Sequence, residues 1–258
     1  GAIFAAWPFV YAVSFSGLYL DKFLVLSAPI LRPVSFKYRS KKDDPAWRNR
    51  WDWGLFIGGF VPALVFGVAV GNVLLGVPFR LDGDLRSFYE GHLLELFMPF
   101  ALLAGLLSVA MLIMHGAGWL SLKIEEGPVL ARAQRYGTYA AIAAVVLFLV
   151  GGAMVTMTNM GYRLDGVVEV NGPSNPLLVK AVQQQGAWVD NYSRYPWMLL
   201  APLLGVIGPL LAVVGIRARN HTLVFGGSSL GTLGIIATVG LSMFPFILPS
   251  SIDPQSSL

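Results

Sequence analysis

The sequence predicts an all-α fold, a polytopic transmembrane helical bundle, and three observations carry that expectation. Only 12% of the 258 residues are charged and 55% are hydrophobic, where an ordinary soluble domain carries about 25% charged residues. The mean hydropathy is +0.66. The charges are also clustered, so long apolar runs alternate with short polar ones, which is the arrangement a bilayer selects. Length alone would suggest one or two soluble domains, but a water-soluble surface cannot be made from this supply of charge.

A span needs roughly 20 apolar residues to cross about 30 Å of hydrocarbon at 1.5 Å per residue. Five stretches meet that requirement, at residues 53–79, 93–122, 139–160, 195–216 and 222–247. Residues 1–31 are too long for one straight crossing and contain Pro8 and the run Ser14-Phe15-Ser16-Gly17. That pattern reads as a partial helix over 1–14, the tail of a severed span, followed by a span over 17–31. The chain starts at Gly1 with no initiator Met, no charged leader and no small-residue cleavage site, so its beginning is read as cut. All 258 residues form a single transmembrane domain in this reading.

Orientation follows from the placement of Lys and Arg, because short cytoplasmic loops keep the excess. The loop over 32–52 holds seven: Arg32, Lys37, Arg39, Lys41, Lys42, Arg48 and Arg50. Lys123, Arg132, Arg135, Arg217 and Arg219 bring that side to twelve, whereas the opposite side has Arg80, Arg86, Arg163, Lys180 and Arg194. The 32–52 loop is therefore expected in the cytoplasm and the 161–194 connection outside. Within that outer loop, Asp165-Gly166 and Asn171-Gly172 bracket an extended piece at Val167-Val168-Glu169-Val170, and Asn175-Pro176 starts a short surface helix through Val182.

Glycines recur four residues apart within the spans, as Gly54 with Gly58, Gly67 with Gly71, and Gly227 with Gly231. That spacing puts both on one helix face and invites close packing, which outweighs any ligand role. The run Gly226-Gly227-Ser228-Ser229-Leu230-Gly231 has no following Lys and no preceding strand, so it is no phosphate loop.

Four ionisable residues are intramembrane candidates by position: Asp21, Lys22, Glu95 and His115. Asp21 and Lys22 suit a proton or ion path, or else a first helical turn where Lys snorkels and Asp favours the dipole. Glu95 reads first as an N-terminal dipole partner. The histidines His92, His115 and His221 fall near span edges, and His115 is the one considered as a haem ligand, against a satisfied edge histidine. Trp47-Arg48-Asn49-Arg50-Trp51-Asp52-Trp53-Gly54 combines interfacial aromatics with arginines. Trp47, Arg48, Trp51, Asp52 and Trp53 are candidates for interfacial anchoring or subunit docking, with Asp52 able to pair an Arg and fix the geometry. There are no cysteines. No nucleophile triad, metal-ligand cluster or nucleotide loop is legible, so no catalytic or metal residue is assigned and no nucleic-acid partner is expected.

Several segments, in order along nearly the whole chain, carry a family resemblance. They are Ala5-Ala6-Trp7-Pro8-Phe9-Val10-Tyr11-Ala12, Arg32-Pro33-Val34-Ser35-Phe36-Lys37-Tyr38-Arg39-Ser40-Lys41, the Trp47 to Gly54 run, Gly71-Asn72 through Gly76-Val77-Pro78-Phe79, Ser174-Asn175-Pro176-Leu177, Gly186-Ala187-Trp188, and Met243-Phe244-Pro245-Phe246 with Pro249-Ser250-Ser251. Individually ordinary and jointly specific, they resemble subunit II of the cytochrome bd quinol oxidases. The resemblance implies a heterodimer in the bacterial cytoplasmic (inner) membrane with a haem-bearing subunit I that holds two b-type haems and one haem d. That complex oxidises quinol at the outer face and reduces dioxygen to water in the aerobic respiratory chain. Subunit II would supply scaffolding, part of a proton or oxygen route and, in some members, a bound structural quinone. Two departures stand out. The family's opening span with its acidic Trp-Asp-Gly element would precede Gly1 and its final span would follow Leu258, and Asp21-Lys22 stands where the family has apolar residues. No catalytic residue maps onto the chain. The rival readings are a secondary transporter, which would need discontinuous helices, midplane polar sites and internal repeats, and a membrane assembly protein with no redox partner.

Overall fold

The computed structural model describes residues 2–17, 19–166, 172 and 175–258. Among the described residues there are nine α-helices: α1 (Ala2–Ala6), α2 (Pro8–Gly17), α3 (Tyr19–Arg39), α4 (Pro45–Leu75), α5 (Pro99–Lys123), α6 (Pro128–Met157), α7 (Asp190–Arg194), α8 (Leu200–Arg217) and α9 (His221–Met243). Two small antiparallel hairpins complete the chain, β1 (Phe79–Leu81) with β2 (Ser87–Tyr89) and β3 (Gly161–Leu164) with β4 (Ala181–Gln184).

Five of these helices are long and apolar enough to cross a membrane: α4, α5, α6, α9, and α8 with the 3₁₀ turn that leads into it. Helices α2 and α3, bent 72° from each other, make a sixth candidate as a broken span. Large apolar side chains point outward all along the bundle, among them Phe66 at 60%, Leu203 at 55% and Ile236 at 59% exposure. Only lipid or another subunit can cover such a surface. The expected all-α polytopic bundle is thus what forms.

The spaced glycines are where the helices meet. A Cβ on Gly54 would strike the Ser35 hydroxyl and one on Gly58 would lie 2.8 Å from the Ala28 carbonyl, so α3 rests directly on α4. Gly67 and Gly71 admit α5 in the same way, each 2.7 Å from a backbone carbon of Gly105 or Ala101 by that measure. Between α8 and α9 the approach is closest: a Cβ on Gly208 would sit 2.2 Å from the Gly231 amide nitrogen. Lipid tails give helices no hydrophobic reason to associate, so close van der Waals contact between backbones is what holds these pairs.

Several boundaries differ from the sequence expectation, each for a local reason. The 32–52 loop is mostly helix, because α3 runs on to Arg39 and α4 begins at Pro45. Basic residues mark a side of the membrane, not a helix end, and the stop signal is Asp44-Pro45: the Asp44 carboxylate accepts from the Ala46 amide and Pro45 opens α4. Likewise α6 starts at Pro128, behind Gly127, so Arg132 and Arg135 lie in its first turns and not in a connection. Near the start of the chain, α2 extends through Gly17, with α3 taking over from Tyr19. The 93–122 stretch divides into a 3₁₀ turn at Leu93–Phe97 and α5, because Pro99 sets a new first turn. At the other ends, α4 stops at Leu75 and α9 at Met243, where β structure and a turn follow. The surface helix expected from Asn175 to Val182 is a single 3₁₀ turn, Pro176–Leu178. Asn175 does cap it, but Ala181 and Val182 pair with β3 instead. The extended piece at Val167-Val168-Glu169-Val170 lies outside the described residues.

One end of the bundle is roofed. The Trp188 indole donates to the Leu74 carbonyl at 3.1 Å and the Tyr162 hydroxyl to the Leu75 carbonyl at 3.0 Å, satisfying acceptors that the end of α4 leaves free. Gly76 makes the exit possible: its φ is +93° and any Cβ there would run into the Tyr162 hydroxyl. The tail folds back onto β1, with Val77 N to Pro249 O at 2.9 Å, Ser251 N to Val77 O at 3.1 Å and Leu81 N to the Ser256 hydroxyl at 2.9 Å. Trp188, Tyr162, Phe246, Met160 and Phe100 form the hydrophobic core beneath this roof.

Candidate functional site

Below the roof, a groove of about 940 Å³ opens on the side of the bundle between α4, α5, α6, α8 and α9. Its walls are apolar, with Phe66, Phe100, Phe148, Leu203 and Ile235 among the lining side chains. Missing side chains help to make the space. Gly151 and Gly152 of α6 both line it, and a Cβ on Gly152 would meet no atom within 4 Å.

Hydroxyl groups gather at the roofed end of the groove. Tyr192 of α7 and Ser242 of α9 share a hydrogen bond of 2.7 Å in which either can donate. The Tyr192 hydroxyl also lies 3.5 Å from the Thr238 carbonyl, and when Tyr192 donates to Ser242 the Ser242 O–H is the one available for a guest. The neighbouring hydroxyls are differently employed: Thr238 donates to the Gly234 carbonyl at 2.7 Å and Thr156 to the Ala153 carbonyl at 2.9 Å. Asn191 holds Tyr192 in place, its amide nitrogen lying 3.0 Å from the Leu241 carbonyl and 2.6 Å from that of Phe244, so α7 is tied to the end of α9. Burial pushes the Tyr192 hydroxyl's pKa up, partly offset by its bond to Ser242, which keeps it a neutral donor.

The residues singled out in the sequence lie elsewhere. Trp47, Trp51 and Tyr38 form an aromatic platform at the opposite, basic end, with Tyr38 stacked on Trp51 at 5.5 Å between ring centroids and Trp47 edge-on to Trp51 at 5.7 Å, and the Trp47 indole donates to the Tyr38 carbonyl at 2.8 Å. Asp52 does pair an arginine, and the partner is Arg39 of α3: Nε and Nη2 donate to the two carboxylate oxygens, with Nη2 to Oδ2 at 3.2 Å. Arg48 pairs with Asp43, while Trp53 faces outward against Phe56.

The ionisable candidates do not converge. Asp21 belongs to the first turn of α3, and its side chain is outside the described residues. Lys22 bonds to the Ser14 carbonyl near the end of α2 and sits 3.5 Å from the Phe15 ring centre. Glu95 lies in the 3₁₀ turn ahead of α5, exposed, where it accepts from the His92 amide at 3.1 Å. His115 bonds through Nδ1 to the Ser228 hydroxyl at 3.1 Å and lies against Phe225. Among the described residues, no group of three or more His, Cys, Asp or Glu could hold a metal ion. Tyr192, Ser242 and Thr238 went unnoticed because a hydroxyl in an apolar run has no signature until the folded chain shows what it faces.

The family model for "Cytochrome bd terminal oxidase subunit II" matches residues 1–257. The chain belongs to that family. It is 45% identical over 258 residues to the "Probable cytochrome oxidase subunit 2" of Haemophilus influenzae and 44% identical to the "Cytochrome bd-I ubiquinol oxidase subunit 2" of Escherichia coli, in each case across 100% of this chain and 68% of the relative. The Bacillus subtilis "Cytochrome bd ubiquinol oxidase subunit 2" is 27% identical over 260 residues. In fold, the chain is similar to one in "The structure of bd oxidase from Geobacillus thermodenitrificans", with a TM-score of 0.58 at 12% identity, covering 97% of this chain and 73% of that one. A family of oxidase subunits leaves the transporter and the assembly protein without support.

Proposed function

We infer that this chain is the second subunit of a bacterial inner-membrane cytochrome bd oxidase, working beside a haem-bearing subunit I in a complex that oxidises quinol and reduces dioxygen to water. The match to the family over residues 1–257 carries this reading. In it, the basic end of the bundle faces the cytoplasm and the roofed end faces outward.

The chain's own part is that of a scaffold. Its His115 Nδ1 bonds to the Ser228 hydroxyl while the ring rests on Phe225, a contact that joins α5 to α9 and serves packing without a ligand. Haem b and haem d are assigned to the partner subunit on the strength of the family match.

The groove, by contrast, fits a bound structural quinone. Its length of apolar wall suits a polyisoprenoid tail, and the Tyr192 and Ser242 hydroxyls at one end suit the carbonyl oxygens of a quinone head, which only accept hydrogen bonds. A quinone would bring two-electron redox capacity when bound. The residues of this chain contribute binding, orientation and exclusion of water.

Purified with its neighbours in mild detergent, the chain should accompany a larger haem-bearing polypeptide, and the preparation should consume oxygen when given quinol. A preparation that lacks oxygen uptake would overturn the oxidase reading. Organic extraction should also recover tightly held quinone, reduced several-fold by Tyr192→Phe combined with Ser242→Ala. Unchanged quinone content in that double variant would refute the assignment of the groove alone.

A further inference from the structure

The linker between α3 and α4 and its flanking turns carry seven Lys and Arg against three Asp over residues 32–52, an excess of four positive charges. The three acids are all engaged locally: Asp52 pairs with Arg39, Asp43 with Arg48, and Asp44 caps the Ala46 amide. Lys37, Lys41, Lys42 and Arg50 are exposed and form no ion pair with a carboxylate among the described residues.

Two of these cations are held in place. Lys41 lies 4.5 Å from the centre of the Tyr38 ring and Lys42 4.8 Å from that of Trp47, on the aromatic platform described above. A loop that merely signalled topology would need charge and no such fixed seat. Directly along the same two helices, Phe36, Trp53, Phe56 and Ile57 stand exposed. Cations at the rim of a wall of bare apolar side chains match the layout of an anionic phospholipid, with phosphate at one level and acyl chains at the next.

We propose that the α3–α4 hairpin binds an anionic phospholipid, with its phosphodiester met by Lys41, Lys42 and Arg50 and its acyl chains lying against Phe36, Trp53 and Phe56. This goes beyond the oxidase reading and does not depend on the groove or its occupant. An acidic surface on a protein partner would satisfy the charges but has no need of the apolar wall, and so is the less favoured occupant.

The test uses the intact complex, stripped of loosely held lipid and titrated with phosphatidylglycerol or phosphatidylcholine, with bound lipid counted by native mass spectrometry. Each basic residue at such a surface contributes about fivefold in affinity. The triple variant Lys41→Gln, Lys42→Gln, Arg50→Gln should therefore weaken phosphatidylglycerol binding on the order of a hundredfold, leaving phosphatidylcholine binding unchanged. Should that variant fail to assemble, the charge-preserving set Lys41→Arg, Lys42→Arg, Arg50→Lys should retain binding, and added salt should displace phosphatidylglycerol from the unaltered complex. Equal binding of the two lipids, insensitivity to salt, or full displacement by inorganic phosphate at an ionic strength where chloride displaces none would each overturn the proposal. So would loss of the partner subunit in the triple variant with lipid binding intact, since the cations would then serve a protein interface.

Discussion

Between α8 and α9 the two backbones nearly touch, with Gly208 and Gly234 each so placed that a Cβ would fall within 2.3 Å of an amide nitrogen on the other helix. At the roof over the same bundle, contact is made by long side chains instead: Trp188, Tyr162 and Asn191 each reach a backbone carbonyl at a helix end. The difference reflects what each region lacks. Inside hydrocarbon every backbone group is already satisfied within its helix, so association comes from removing side chains until surfaces fit. Helix ends leave carbonyls without partners, so there association comes from supplying donors.

If that contrast is right, bulk should be most harmful in the bundle. Gly208→Val is expected to produce the largest effect, costing more than about 3 kcal/mol because backbone, not a flexible side chain, blocks the new methyls. It should appear as lost assembly or a markedly lower melting temperature of the complex. Gly152→Ala, which faces the open groove, should leave melting unchanged or slightly raised. Equal damage from both would mean that close approach is not what holds the helices.

At the roof, loss of a donor should matter next. Trp188→Ala should cost about 3–5 kcal/mol through the cavity it leaves, and Trp188→Phe about 1–3 kcal/mol, mainly by orphaning the Leu74 carbonyl. A neutral Trp188→Phe variant would show that the indole acts as packing alone.

A smaller effect concerns pH. Burial raises the Tyr162 hydroxyl from 10.0 to about 12, so in this window the unfolded chain loses its proton before the folded one does. Stability from this group is then full below pH 10 and declines as pH rises from 10 toward 12. Tyr162→Phe should flatten the alkaline melting profile of the complex over that range, at the expense of the bond to Leu75. The smallest change is expected from Asp52→Asn: its pair with Arg39 is about half exposed, and such pairs contribute little and weaken with salt. A melting shift comparable to that of Trp188→Phe would mean that the basic end is held together more firmly than its exposure indicates.

Much of this contrast was legible in the residues themselves. The glycine pairs announced their helix contacts because a small side chain has few other uses in an apolar span, and Asp52 announced an arginine partner because a carboxylate beside so many cations seldom stays alone. The helix ends were harder to see. Hydropathy reports where lipid stops, and α3 and α6 continue well past that point. The roof was harder still, because Trp188, Tyr162 and Asn191 act on carbonyls far away in sequence. The groove was invisible for a related reason: it is a space, bounded by five helices and left open partly by Gly151 and Gly152, and no single stretch encodes it.

Separating the two large polypeptides of the purified complex and recording a reduced-minus-oxidised absorbance spectrum of each tests the central claim most directly. The scaffold role predicts that all haem absorbance follows the partner and none follows this chain. A haem spectrum that stays with this chain after separation would contradict it.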